Sequence, residues 1–468
     1  MANRIVRIES ITIENFKNVA QGTLHFENKR KEYKASVLGL YGQNGSGKTA
    51  LIDALQLLKF ALCGKPIPKK YADCIHVDAE HATLKYEFVV RYAEVVYNAW
   101  YQFSIRKVID ENVVSIEEAA NANTTTKVEI FDEVLSFSYE SKTDKMRKAP
   151  LIDTRTEELF APKAKMQELV GDDKENYMDL LVTKRLTKAT SRSFIFSKEL
   201  INQYRKNCKN ELYMKLIEGV YTYGHRELFI IDTESIGLIS LNALPLVFKY
   251  KNETSEAVGG LLLSLNGPAL IPEDMYGVAR NVIENMNIVL EQLVPGLRIG
   301  VVDLGSTMTK EGKIAKQIQL ISLKNNKQIP FCYESEGIKK IVSVLQLLIV
   351  VYNNPSVTVA IDELDSGVFE YLLGELLNII SEKGKGQLIF TSHNLRPLET
   401  IDKGFIAFTT TNPTMRYIRL TNVKGTNNLR DFYYRDIVLG EQSEQVYNPT
   451  NNFEIALAFR EAGEAFGS

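Results

Sequence analysis

Apolar and polar residues change places along this chain with three rhythms. In 'RIESITIENF' and 'QGTLHFEN' they alternate, which predicts half-buried strands. 'ASVLGLYG' is apolar almost throughout and ends in glycine, and a glycine-rich loop and a helical stretch, 'ALIDALQLL', come next. Over residues 82–138 alternation returns ('TLKYEFVVRY', 'AWYQFSIRKV', 'KVEIF', 'VLSFSYE'), predicting antiparallel strands that cover one side of the N-terminal lobe. Residues 142–293 read as largely helical, broken repeatedly by turn residues. No heptad persists there, so no long coiled-coil arm is expected. After 'GLRIGVVDLG' and 'AKQIQLISLK' come a long apolar run, 'FCYESEGIKKIVSVLQLLIVV', then 'SVTVAIDELDSG', a helix over 369–382 and 'GQLIFTSHN'. That alternation of strand and helix predicts a mainly parallel sheet in an α/β fold. Three stretches are expected: an N-terminal lobe over 1–141, a mainly helical insertion over 142–300, and a C-terminal lobe over 301–468.

Composition narrows the class. The chain has 468 residues, 45% hydrophobic and 24% charged, enough to build more than one buried core. A formal net charge of −2 argues against a surface that coats nucleic acid wholesale. The cysteines, Cys63, Cys74, Cys208 and Cys332, are scattered and form no C-x-x-C pair, which points to a reducing cytoplasm. The N-terminus lacks the apolar segment of a signal peptide, and no run approaches a membrane span, so no membrane partner is expected.

Chemistry concentrates at three places. 'GQNGSGKT' fits G-x-x-x-x-G-K-[ST] between an apolar strand and a helix, the setting in which that motif cradles phosphates. The backbone of Gly42, Gln43, Asn44, Gly45, Ser46 and Gly47 would curl its N–H groups toward a polyphosphate. Lys48 would reach the β- and γ-phosphates of ATP, and the Thr49 hydroxyl would hold Mg²⁺. 'VTVAIDELDSG' ends a second apolar strand in Asp362, a metal-directed carboxylate, and Glu363, placed to act as general base on water. 'LIFTSHN' ends a third in His393, suited to sensing the γ-phosphate.

Taken together, the G-x-N-G-S-G-K-T loop, the D-E pair, the 'LDSG' segment after it and the strand-end histidine resemble the ATP-binding-cassette ATPases of the SMC, RecF and OLD type. 'IENFKNV' resembles the strand that opens those proteins, and the resemblance makes Lys17 a basic residue near the phosphates. It implies a P-loop NTPase head with a mixed sheet, an antiparallel β-subdomain and a helical insertion. It also implies that ATP is sandwiched between two heads, in a homodimer or higher homo-oligomer, with Ser335 and a Gly337 amide from one head meeting the γ-phosphate on the other. Compact members without a long coiled coil include ATPase subunits of bacterial antiphage systems. The layout therefore suggests a sensor or regulatory ATPase controlling a separate effector, a nuclease or toxin. The alternative is a RecF-like repair ATPase that binds DNA directly, and a transporter ATPase subunit fits less well.

The long apolar run raises its own question, because it opens with two acids around a serine. Ser335 reads as an N-cap and the acids suit the helix dipole. Glu336 stands where transporter-type signatures have glycine. Beside a phosphate it would have to point away or meet Lys339 or Lys340.

Overall fold

The alternation in 'IVRIESITIENF' becomes β1 (Ile5–Phe16), which buries Val6, Ile8, Ile11, Ile13 and Phe16. Its change of phase after Ile8 is a bulge, which lets one strand keep its apolar side chains inward while it bends. The computed structural model describes residues 4–27, 34–110, 126–251, 256–308, 312–325, 327–421, 428–440 and 442–465. β2 (Val19–His25) and β3 (Ser36–Tyr41) lead into α1 (Lys48–Leu62), followed by β4 (His81–Arg91), β5 (Val95–Ile109), β6 (Thr126–Ser141) and β7 (Lys145–Asp153). Next come α2 (Lys163–Val170), α3 (Lys174–Ala189), α4 (Lys198–Asn207), α5 (Glu211–Arg226), β8 (Leu228–Ile231) and α6 (Thr233–Ser240). β9 (Ala243–Lys251), β10 (Glu256–Ser264), β11 (Ala269–Pro272), α7 (Glu273–Leu293), β12 (Leu297–Met308), β13 (Ile314–Lys324) and β14 (Lys327–Pro330) precede α8 (Glu336–Asn353). The chain closes with β15 (Thr358–Ile361), α9 (Glu370–Lys383), β16 (Gln387–Thr391), α10 (Pro397–Thr400), β17 (Ile406–Thr409), β18 (Tyr417–Ile418), α11 (Leu429–Leu439) and α12 (Asn452–Ala465).

Two large sheets carry the fold. One is antiparallel, in the order β2-β1-β4-β5-β6-β7. The other runs β18-β17-β3-β16-β15-β8 and is parallel except for the β17–β18 pair. β3 sits at its centre, and its six residues are all buried, as a strand covered on both faces requires. α1 lies between the sheets. Its Leu51, Leu55, Leu58 and Leu62 share a core with the antiparallel sheet and with Leu38, Leu40 and Ile389 of the parallel one. The other face of the parallel sheet, with Val37, Tyr41, Ile361 and Phe390, packs on α8, α9 and α11.

Residues 142–300 hold strands among their helices. α2 to α7 lie there, but β7 completes the antiparallel sheet and β8 forms the edge of the parallel sheet beside β15. β9 pairs with β10, and β11 joins β12, β13 and β14 in a further antiparallel sheet. 'GLRIGVVDLG' and 'AKQIQLISLK' belong to this third layer and not to the parallel sheet. Its core, with Phe248, Ile271, Met286 and Ile318, also receives Val342 and Leu345 of α8. α8 is thus apolar on nearly every side because it separates two cores, with Leu347 and Leu348 turned to the parallel sheet.

Side chains join the two large sheets where backbone pairing stops. β2 pairs with β1 only from Ser10 onward, which leaves the groups of Val6 and Ile8 on that edge without strand partners. Gln387, at the start of β16 and 1% exposed, accepts the Ile8 N–H at 2.9 Å and donates to the Ile8 carbonyl at 2.8 Å. Ser356 accepts the Val6 N–H at 3.0 Å and donates to Glu227, which also pairs with Arg4. Replacing Gln387 with leucine would strand two buried backbone groups, so Gln387→Leu is expected to cost about 2–4 kcal/mol, read as a lower urea midpoint. An unchanged midpoint would contradict this account of the join.

Candidate functional site

The loop 42–49 runs from the end of β3 into α1, and three sides of the molecule hold its shape. Gly42 and Gly47 have positive φ, and a Cβ on Gly42 would lie 1.7 Å from Thr409 Oγ1. Only glycine lets the loop pass this close to β17. Ser46 Oγ donates to the Gln43 carbonyl at 2.5 Å and meets Thr409 Oγ1. Tyr417 of β18 donates its hydroxyl to the Gly47 carbonyl at 2.9 Å. Asn18, in the turn between β1 and β2, donates to the Gly45 carbonyl and accepts from Arg416. The turn within 'IENFKNV' therefore braces the phosphate loop.

Lys48 is buried, and its ammonium donates to the carbonyls of Gly42 at 2.8 Å and Gln43 at 3.0 Å. Burial pushes its pKa down, while Asp362, Glu363 and Asp365 act in the opposite direction. Asn44, Gly45 and Thr49 are exposed at the mouth of the loop, and no acid occupies the first turn of α1 to compete with an anion there. Gln43 faces another way, its side-chain oxygen accepting the Asn448 N–H at 3.0 Å.

The acids sit at the same end of the parallel sheet, because β8, β15 and β16 run in register. Ile361 lies opposite Ile231 on one side and Phe390 on the other, so the residues that follow emerge together. Asp362 is 1% exposed and accepts from Thr233 Oγ1 at 2.7 Å and from Thr391 Oγ1 at 2.5 Å. The same Thr391 oxygen accepts the Glu363 N–H at 2.8 Å. Glu363 has φ of +44, a left-handed conformation that costs a non-glycine residue about 1–2 kcal/mol. The Thr391 contact and the bond from Ser366 N–H to its carbonyl hold it there. Asp365 Oδ2 accepts the N–H groups of His393 at 3.1 Å and Asn394 at 2.9 Å, so 'LDSG' is stitched to the strand end that presents an exposed His393 side chain.

Ser335 caps α8, accepting the Ile338 N–H at 3.3 Å. Gly337 abuts the 'LDSG' segment so closely that a Cβ would lie 2.1 Å from the Gly367 carbonyl oxygen. Within one chain these two residues therefore neighbour the acid loop. Glu336 is exposed, and neither lysine turns to it: Lys339 donates to Asn242 at 2.8 Å and Lys340 points inward. Lys17 forms an ion pair with Asp53 of α1, to which Tyr71 also donates at 3.3 Å, so its charge is partly compensated beside the loop helix.

Thr233, Thr391, Thr409, Asn18 and Asp365 do not stand out as site residues in the sequence. Thr391 and Asp365 lie within the strand-end motifs, whereas Thr233 follows a four-residue strand too short to show a period. The donor set suits Mg²⁺, a hard ion that takes few protein oxygens and keeps phosphate and water ligands. Thr49 offers an exposed hydroxyl. Asp362 has both oxygens engaged by threonine hydroxyls, which fits contact through water.

Fold and site define a P-loop ATPase head of mixed α/β architecture with an antiparallel subdomain. The family model described as the RecF/RecN/SMC N terminal domain matches residues 7–415, and the chain belongs to that family. Among solved structures it is similar to an Smc head with an extended coiled coil, from Pyrococcus furiosus and bound to the C-terminal domain of ScpA. That match has TM-score 0.36 and 11% identity, covering 89% of this chain and 96% of that one. The recombination mediator RecF with ATPrS matches at TM-score 0.35 and 11% identity, covering 89% and 98%. An SMC head from Thermotoga maritima matches at TM-score 0.34 and 13% identity, covering 88% and 99%. No helix among the described residues is long and apolar enough to cross a membrane.

The contact between Gly337 and Gly367 yields a paired test. Gly337→Ala is expected to destabilise by about 1–3 kcal/mol, because backbone must move to admit the methyl. Gly277→Ala in α7, where a Cβ meets nothing within 4 Å, should be neutral or stabilising. Equal melting temperatures for the two variants would contradict the close approach.

Proposed function

We propose that this chain binds ATP with Mg²⁺ and hydrolyses it at a composite site completed by a second copy. The observation that supports this reading best is the Thr391 hydroxyl, which fixes Asp362 and the backbone of Glu363 at the strand tips whose charges act on Lys48. Lys48 now donates to two loop carbonyls, and a polyphosphate offers the same ammonium stronger acceptors. Backbone N–H groups of 42–47 and the N-terminus of α1 bind the phosphates. Thr49 and Asp362 hold Mg²⁺, which when bound neutralises phosphate charge.

The chemical step is transfer of the γ-phosphoryl group to water, in which positioning and charge compensation dominate. Glu363 takes the proton of the attacking water, aimed by its left-handed backbone. His393, on the adjacent strand end, donates to the γ-phosphate. Lys17 adds positive charge near the loop, partly compensated by Asp53. Ser335 and the Gly337 amide, at the capped N-terminus of α8, complete the site of the opposite head, with Glu336 exposed between them.

This arrangement makes ATP a removable link between heads. In that role the chain would serve as the sensor or regulatory subunit of an antiphage system, controlling a separate nuclease or toxin. A protein that co-purifies from the native host would support this, whereas salt-sensitive binding of purified chain to DNA ends would favour the RecF-like repair role.

Two variants test the composite site. Glu363→Gln should lower turnover by about a hundredfold or more while still binding ATP, and should sediment as a dimer with ATP and Mg²⁺. Adding Ser335→Arg should return it to monomer with nucleotide binding retained. Wild-type turnover in Glu363→Gln would refute the base, and equal loss of binding and dimerisation in Ser335→Arg would make Ser335 only a helix cap.

A further inference from the structure

α12 belongs to none of the three cores. From Asn452 to Gly463 every side chain is exposed, Phe459 at 78%. Its sequence nevertheless has a face: Ile455, Phe459 and Ala462 recur at spacings of four and three, while Glu454, Arg460 and Glu461 lie away from that side. Phe453 and Leu457 lie among those charges. A helix of 14 residues that packs on nothing is marginal in water, and an exposed apolar face of this kind marks a surface that a partner covers. Anionic lipid is disfavoured, because Glu454, Glu461 and Glu464 outnumber Arg460.

Where α12 starts decides what can reach it. The Thr411 N–H donates to the Gln445 carbonyl at 2.8 Å, Asn412 donates to Glu444 at 2.9 Å, and Val446 is buried in the core that covers the parallel sheet. The Asn448 N–H then donates to the Gln43 side chain of the phosphate loop at 3.0 Å. Asn451 caps the helix by accepting the Phe453 N–H at 3.0 Å. The chain from Asn448 to Asn452 spans at most about 14 Å, so α12, about 21 Å long, begins beside the mouth of the phosphate loop.

A second apolar patch stands at the start of α8. Tyr333, 78% exposed, comes just before Ser335. Phe369, 69% exposed, comes just after Gly367, whose carbonyl lies against Gly337. We infer that α12 docks on a second copy of this chain, setting its Ile455 and Phe459 face against Tyr333 and Phe369 of that copy. The inference rests on the composite-site reading above, which puts the α8 start of one head across the phosphate loop of the other. A body at the mouth of that loop is then the second head, and the two exposed patches rim the two halves of one nucleotide site. In a two-fold dimer the contact is made twice, one α12 beside each site. The arm adds affinity between heads without touching the nucleotide.

Sedimentation of the full chain in the Glu363→Gln background, with ATP and Mg²⁺, measures that affinity. Ile455→Glu combined with Phe459→Glu should weaken dimerisation by about tenfold or more, and so should Tyr333→Glu combined with Phe369→Glu. Ile288→Glu, at an exposed apolar position on α7, should leave it unchanged. ATP binding at protein concentrations below the dimer range should be the same in every variant. A photoreactive benzoylphenylalanine at position 459, in a mixture of two differently tagged chains, should join one tag to the other at peptides carrying Tyr333 or Phe369, and only with ATP. Parental affinity in Ile455→Glu with Phe459→Glu, or crosslinks that fall within one chain or elsewhere on the second, would overturn the docking alone. A Glu363→Gln parent that stays monomeric with ATP would overturn the composite site, and the docking with it.

Discussion

Parallel pairing of β3, β16, β15 and β8 is the constraint on which the chemistry of this chain depends. These strands come from positions 36, 387, 358 and 228 of the sequence, and they end together because their register aligns them. Parallel strands survive only when both faces are covered. The antiparallel sheet with α1 supplies one cover, and α8, α9 and α11 supply the other. Gln387 shows how closely cover and site are tied. It begins the strand that ends in Thr391, and its amide holds the edge of β1. A slip of β16 by one residue would break that join and move Thr391 away from Asp362.

Threonine hydroxyls do much of the fine positioning. Thr391 links Asp362 to the Glu363 backbone, Thr233 takes the other Asp362 oxygen, and Thr409 meets Ser46 across Gly42. Each comes from a different strand end of the parallel sheet or, for Thr233, from the start of the helix that follows it. A hydroxyl can donate to a carboxylate while accepting from a backbone N–H, which a carboxylate or ammonium cannot do. The acidic pair is therefore oriented by neutral groups, and its charge stays available to act on Lys48.

The legible parts of the sequence are those in which pattern and chemistry coincide. The loop 42–49 announces itself by glycine spacing between strand and helix, and Asp362, Glu363 and His393 by their place at the ends of apolar strands. The antiparallel strands over 82–138 are visible from their two-residue period. β8 is not, because 'LFII' is too short to distinguish strand from helix, and with it go Thr233 and the sheet's edge. The β9–β14 layer reads as helix or as part of the parallel sheet, since local alternation does not state which sheet a strand joins. The serine of 'YESEGIKK' is readable as a cap. The reason for its glycine is not, because Gly367 is distant in sequence and the contact is between backbones. Nor does the sequence show that Lys339 donates to Asn242 while Lys340 is buried, leaving Glu336 to solvent.

The composite nature of the site is the central claim, and complementation between two inactive chains addresses it most directly. Lys48→Ala removes the phosphate-loop ammonium, and Ser335→Arg blocks the start of α8. If each site takes its loop from one chain and its α8 start from the other, a mixed dimer regains one intact site. Turnover in an equimolar mixture should then rise to roughly a quarter of the wild-type rate, as random pairing in a two-fold dimer requires. Turnover that stays at the average of the two separate variants would contradict the claim.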